Sequence, residues 1–502
     1  MTRRTGAGCL RAILTATALL AGANGPTALK AQQTEPTLSP LHIEARSAQT
    51  LQAPGRQSLG YDAEVGLAPV RSRPGHFDAT AGYISYTRPG GTDRPVLFVF
   101  NGGPGAASAY LHMGALGPMR AEVPQDPAAA LPSDAPVVEN RETLLDIADL
   151  VFLDPPGTGF STIAADADRG FYQSVNGDAD AVAQLARAWL AAHGRTAAPI
   201  FILGESYGTI RAATMAGTLH AQDPGLRLRG VLLLGQALNM IETSQRPGNV
   251  VTYPLALPTL AAIACYQHKR PQPCDPAGSA REAAAFGPAY LDALYRGRAL
   301  DPAERDRIAT RLSELTGIAK GYYLAHDLRI SKERFRVELL RGEGRVLGRY
   351  DARYTAPRPA NAGEVVGGDP FSAVSDLYGK AVFGQLKQLG VADPSHYKVI
   401  VPVDGAWTYG EGDSPFNDWP FMAQLEKVMT AEPRLRLFVG SGLYDLTTTV
   451  GATDYLFAQS SLPPDRFRSE HYPAGHVAYS DDASWHKLMA DLRGFILAGA
   501  EH

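Results

Sequence analysis

The feature that most restricts this chain is a set of short apolar runs, each ending abruptly in a glycine-bearing loop. Val96-Leu97-Phe98-Val99-Phe100 stops at Asn101-Gly102-Gly103-Pro104-Gly105, and Leu150-Val151-Phe152-Leu153 stops at Asp154-Pro155-Pro156-Gly157. Phe201-Ile202-Leu203 stops at Gly204-Glu205-Ser206-Tyr207-Gly208, Val231-Leu232-Leu233-Leu234 at Gly235-Gln236, and Leu437-Phe438-Val439 at Gly440-Ser441-Gly442. Strands without polar alternation are buried on both faces. With helix-length segments between them, they predict a mostly parallel central sheet with helices on either side, an α/β fold. In such sheets, ligands and chemistry gather beyond the carboxyl ends of the strands. Every one of these loops lies at that end.

The third loop has the pattern G-x-S-x-G. Its two glycines allow a tight turn from strand into helix that leaves the Ser206 hydroxyl exposed at the tip. An ordinary glycine-bordered connection has the same local pattern, so the partners decide. A serine nucleophile needs a base, the base needs an orienting acid, and in this arrangement the chain order is Ser, acid, His. Asp445 lies in the loop Gly440-Ser441-Gly442-Leu443-Tyr444-Asp445, where such an acid belongs, and His476 lies in the turn Tyr472-Pro473-Ala474-Gly475-His476. The rival acid, Asp454, falls in a helical stretch, and the rival base, His471, in a strand. The predicted oxyanion donors are the backbone N–H groups of Gly103 and Tyr207. A phosphate cradle is excluded on pattern, because Gly103 to Ser108 lacks the last glycine of G-x-G-x-x-G and no Walker lysine follows. No H-E-x-x-H or second ligand pair accompanies the histidines, so neither metal nor organic cofactor is expected.

Composition sets the remaining bounds. A net charge of −4 over 502 residues, without a Lys/Arg cluster, points away from nucleic acid and anionic membrane surfaces. Residues 1–23 read as a secretory signal peptide: basic Arg3-Arg4, the apolar run Ala12 to Leu20, then small Ala21-Gly22-Ala23. A second candidate cut lies at Ala31, before Gln32. The run is too short to span a bilayer, so no stable membrane anchor is expected, and the mature protein is expected to be secreted or periplasmic. Cys265 and Cys274 are close enough to form a small disulfide loop in an oxidising compartment; two unpaired thiols are the alternative. Residues 32–75 read as a loosely held arm, 76–240 as the first part of the core, 241–395 as a largely helical cap insertion, and 396–502 as the second part of the core.

Taken in order, Asn101-Gly102-Gly103-Pro104-Gly105, Asp154-Pro155-Pro156-Gly157-Thr158-Gly159-Phe160-Ser161, Gly204-Glu205-Ser206-Tyr207-Gly208, the Asp445 loop and Ala474-Gly475-His476 closely resemble the serine carboxypeptidase family. The resemblance runs from about residue 80 to the C-terminus and is diffuse across the insertion. It implies an α/β-hydrolase fold, a triad of Ser206, Asp445 and His476, and removal of C-terminal residues from peptide or protein substrates under mildly acidic conditions. It also implies that Asn101 and a protonated Glu205 hold the substrate's terminal carboxylate. Three positions depart from the family pattern. Phe100 stands where Trp is usual, Ala106-Ala107-Ser108 replaces a segment that often carries a cysteine, and Ala115 stands where a second acid is expected before Leu116-Gly117-Pro118. The rival readings are an esterase or acyltransferase with the same acyl-enzyme, and a non-catalytic binding module on a hydrolase scaffold.

Overall fold

The apolar runs become the middle of one nine-stranded sheet. The computed structural model describes residues 41–51, 58–240, 243–360, 363, 368–403, 405–409 and 421–501. The signal segment, both candidate cleavage points and the start of the arm lie outside the described residues. The strands are β1 (His42–Leu51), β2 (Leu59–Val70), β3 (Ala79–Thr87), β4 (Val96–Phe100), β5 (Asp149–Asp154), β6 (Pro199–Glu205), β7 (Arg227–Leu234), β8 (Arg436–Gly442) and β9 (Phe467–Tyr472). Their spatial order is β1-β2-β3-β5-β4-β6-β7-β8-β9. From β5 to β9 neighbours run parallel, and β1, β2 and β3 form an antiparallel edge. This is the α/β-hydrolase fold.

Both faces of the sheet are covered, which is why the central strands carry no polar alternation. In β4, Leu97 and Val99 enter one core, while Phe98 and Phe100 enter the other with Trp189 from the helix Val175–Ala192. That helix starts where Ser174 accepts a hydrogen bond from Gly177 N at 3.1 Å, satisfying an amide with no intrahelical partner.

The arm differs from its expectation. Residues 42–51 and 59–70 are not a loose lead-in but two strands of the sheet. Their polar residues are satisfied by partners remote in sequence: Glu64 accepts from Arg46 Nε at 2.8 Å and from the Tyr83 hydroxyl at 2.5 Å.

Between β7 and β8 the chain leaves the sheet for helices that include Thr252–Tyr266, Pro276–Arg296, Pro302–Thr316 and Ser372–Gln388. Two of them begin at Asp-Pro, with Asp275 and Asp301 capping the first turn. Several of these helices build a third core of their own from residues such as Leu260, Tyr290, Leu312 and Phe335. Leu443, Tyr444 and Leu446 of the loop after β8 belong to that same core. The insertion therefore does more than cover the sheet edge: it packs around the loop that carries Asp445. Among the described residues no helix is long and apolar enough to cross a membrane.

Candidate active site

β6 ends at Glu205 and the helix Tyr207–Gln222 begins two residues later, so Ser206 must turn the chain by itself. It does so at φ 59°, ψ −128°, a left-handed conformation that non-glycine residues rarely adopt. The flanking glycines are required by close approach. A Cβ on Gly204 would lie 2.0 Å from Gly208 O, and one on Gly208 would lie 2.8 Å from Asn101 O. The turn is pinned from outside as well, since Ser206 N donates to Leu234 O at 2.9 Å. Together these contacts hold the serine on its tip.

Asp445 and His476, thirty-one residues apart, come together at the carboxyl ends of β8 and β9: His476 Nδ1 lies 2.6 Å from Asp445 Oδ2. Asp445 is fully buried and also accepts from Thr447 N at 2.7 Å, Thr448 N at 3.1 Å and Thr448 Oγ1 at 2.5 Å. The carboxylate is thus oriented before the imidazole meets it. Burial pushes the His476 imidazolium down, but the Asp445 charge and hydrogen bond outweigh it and hold His476 above its ordinary value. The ring's other nitrogen, Nε2, is buried and has no hydrogen-bond partner among the described residues. Ser206 and His476 line one cavity of about 280 Å³. A Cβ on Gly235 would come within 2.9 Å of the His476 ring, so that glycine leaves room for the base. The rejected alternatives, His471 and Asp454, pair with each other at 3.2 Å instead.

The Asn101–Gly105 loop lies against the serine turn, where a Cβ on Gly102 would meet Tyr207 N at 2.6 Å. Gly103 also lines the cavity. The two predicted oxyanion donors thus belong to this loop and to the turn it lies against. The wall rests on a buried ion pair. Arg211 Nε donates to Asp178 Oδ2 at 2.7 Å, Arg211 Nη1 donates to Asn101 O at 2.5 Å, and the Tyr207 hydroxyl donates to Asp178 at 3.1 Å. Arg211 is fully buried, so Arg211→Met would strand the Asp178 charge and release the oxyanion loop. A loss of about 3–5 kcal/mol is expected in denaturant unfolding; a loss below about 1 kcal/mol would show that the pair is not holding the wall.

Asn101 and Glu205 are joined on the same side of the cavity, Asn101 Nδ2 donating to Glu205 Oε1 at 2.8 Å. Asn101 Oδ1 is fixed in turn by Leu111 N at 3.0 Å. Glu205 Oε2 is buried with no hydrogen-bond partner among the described residues. Burial raises the Glu205 carboxyl to about 7, opposed by His476 and by the nearby Tyr479 and Asn101 side chains. Ala115 is buried in the apolar core, with its carbonyl taken by Asn140 Nδ2 at 2.8 Å and Trp485 Nε1 at 3.3 Å. No acid is supplied from that position. Cys265 and Cys274 are disulfide-bonded and tie the end of one cap helix to the start of the next.

Thr448, Lys332, Tyr350, Asp178 and Arg211 were not singled out by the sequence. Lys332 Nζ donates to Thr447 O at 2.9 Å, and Tyr350 O accepts from His476 N at 2.6 Å, so the cap grips both sides of the acid–base pair. Of these, only Thr448, three residues after Asp445, carried a local signal: an Asp followed two and three residues on by amides it can cap. Among the described residues no group of three or more His, Cys, Asp or Glu could hold a metal ion.

A family model described as Serine carboxypeptidase matches residues 83–247, a stretch that includes Asn101, Glu205 and Ser206 but neither Asp445 nor His476. No curated protein matches. Similar solved structures include proline iminopeptidase from Mycobacterium smegmatis, at 15% identity over 90% of this chain and 99% of that one, TM-score 0.34. A thermostable carboxyl esterase from Bacillus coagulans is similar at 13% identity over 90% and 99%, TM-score 0.34. An enantioselective epoxide hydrolase mutant from Aspergillus niger is similar at 13% identity over 87% and 78%, TM-score 0.36. Likenesses this distant carry no argument about activity. The chain is a serine hydrolase of the α/β-hydrolase type, and across residues 83–247 it matches the serine carboxypeptidase family.

Proposed function

We propose that the protein is a serine carboxypeptidase that removes C-terminal residues through an acyl-enzyme on Ser206. His476 Nε2 takes the proton as Ser206 Oγ attacks the scissile carbonyl. The tetrahedral oxyanion rests on the amides of Gly103 and Tyr207, and Asp445 holds His476 in the tautomer that leaves Nε2 free. The C–N bond then breaks as His476 returns the proton to the leaving amine. Water, activated by the same imidazole, hydrolyses the ester.

The observation that carries the exopeptidase reading is the Asn101–Glu205 hydrogen bond beside Ser206, in the wall of the same cavity. A carboxyl group can donate to a substrate carboxylate only while it keeps its proton, and burial raises Glu205 to about 7. Peptide hydrolysis is therefore expected to fall as pH rises through about 7, because Glu205 loses the proton it donates. His476 and Glu205 also act on each other: a Glu205 charge raises the imidazolium, which must be deprotonated to act as base. Glu205→Gln keeps a donor and removes that charge. Its alkaline fall should disappear, and the acid limb of its pH–rate profile should move to lower pH. Profiles of kcat/KM for a blocked dipeptide check this; an alkaline limb unchanged in E205Q would sink the role of Glu205.

A second reading, esterase or acyltransferase, is favoured by Ala115, which removes the second acid expected for carboxylate recognition. Incubation with a mixed peptide library, read by mass, separates the two. One-residue ladders from the C-terminus are expected. Intact peptides beside hydrolysed short-chain esters would favour the second reading. The basic start and apolar run of residues 1–23 support export to the periplasm or beyond, which N-terminal sequencing of the mature protein checks.

A further inference from the structure

The cavity above Ser206 has a second carboxyl group that the proposed chemistry does not use. Asp376 lies in the first turns of the helix Ser372–Gln388 and, with Tyr350, Ser372 and Ser375, forms the cavity wall contributed by the insertion. Its side chain is exposed, and no lysine or arginine lines this cavity. Lys380, one turn on along the helix, donates to Ser133 O at 3.0 Å. Among the described residues Asp376 has no ion-pair partner. A carboxylate facing a substrate cavity without a cation is electrostatically incomplete, and a positive group on the substrate would complete it.

Tyr110 lines the same cavity. Burial pushes the Tyr110 hydroxyl up to about 12, with further pushes from Asp376 and then Glu205, so Tyr110 stands within electrostatic reach of both carboxyl groups. Asn101, Glu205, Tyr110 and Asp376 line the same cavity, so a terminal carboxylate held at Asn101 and Glu205 brings the last side chain of the substrate into the space that Asp376 lines. The same cavity exposes Ile400, 62% accessible, an apolar surface on which the methylene stem of a long side chain can lie.

We propose that Asp376 is a specificity-determining residue that selects substrates whose leaving residue carries a positive charge, a C-terminal lysine or arginine. The proposal deepens the carboxypeptidase reading and rests on it for the identity of the leaving group. The charge pairing itself applies to any acyl-enzyme chemistry at Ser206.

The test compares blocked dipeptides with one acyl residue and either lysine or norleucine at the C-terminus, so that only the ammonium differs. The parent enzyme is expected to favour lysine by about tenfold in kcat/KM, the size of one partly screened charge pair. Asp376→Asn should level the two substrates, and 0.5 M salt should shrink the parent's preference, as expected for an exposed charge (Debye length about 8 Å at 0.15 M, falling to about 3 Å at 1 M). Matched esters with a cationic and an isosteric neutral leaving alcohol, choline and 3,3-dimethylbutanol, separate this proposal from the peptidase reading. If neither dipeptide is cleaved but the choline ester is preferred and D376N removes the preference, Asp376 selects charge and the peptidase reading fails. Equal rates within both pairs, or a preference that survives in D376N, would overturn the proposal whichever bond the enzyme cleaves.

Discussion

Ser206→Ala should lower kcat by about 10⁶-fold, whatever substrate is used. A loss of this size is expected because removing the nucleophile abolishes the acyl-enzyme, leaving only the contribution of the oxyanion wall and substrate binding. The exchange is well suited to the test. Ser206 makes its turn with backbone contacts, its N donating to Leu234 O and its O accepting from Thr209, so the hydroxyl is not needed to hold the conformation. Unfolding should therefore change little, and a fluorophosphonate probe that labels the parent should fail to label the variant. Turnover within about tenfold of the parent would remove Ser206 from the chemistry and refute its assignment as the nucleophile.

Asp445→Asn should lower kcat by about 10⁴-fold with little change in KM. The carboxylate has two tasks in this site: it accepts from His476 Nδ1, which leaves the lone pair on Nε2, and it stabilises the imidazolium formed during attack. An amide can present its NH₂ to Nδ1, which selects the wrong tautomer, and it carries no charge. The loop should survive, because Thr447 N and Thr448 N can still donate to the amide oxygen and Leu443, Tyr444 and Leu446 keep their places in the cap core. The variant should also bring the His476 imidazolium down, since the Asp445 charge is what holds it up against burial. Single-turnover acylation and a thermal melt check both halves. A loss of less than about tenfold would mean that another group orients the base.

What could be read in the sequence was whatever is encoded locally. Glycines that permit a positive φ or a close approach, apolar runs buried on two faces, and amphipathic charged segments such as Ala303 to Arg307 each constrain a few adjacent residues. They gave the sheet, the serine turn and the helical character of the insertion. The pairing of Asp445 with His476 was accessible for a different reason: chain order in this fold leaves few loops in which an acid and a base can meet the serine.

Contacts made only by tertiary packing were hidden. The strands at 42–70 looked like a polar arm because the partners of Glu64, Arg46 and Tyr83, lie on separate strands. Arg211 carries no local sign beyond a helix-compatible stretch, yet it is fully buried and holds the Asn101 carbonyl. Lys332 and Tyr350 gave no signal because they reach the triad from the insertion, whose fold has no short motif. Asp376 comes from the same insertion, and its place in the cavity depends on how that segment packs across the sheet edge.

The account depends on one claim above all: that a protonated carboxyl in the wall beside the nucleophile reads the free end of the substrate. The most direct measurement uses one blocked dipeptide in two forms, as the free acid and as the C-terminal amide, at a pH below 6. Two hydrogen bonds to a charged group separate the forms, so the acid should be cleaved at least about 10²-fold faster, and in E205Q that gap should stay constant as pH rises through about 7. Equal cleavage of acid and amide would show that the terminus is not recognised and would contradict the account.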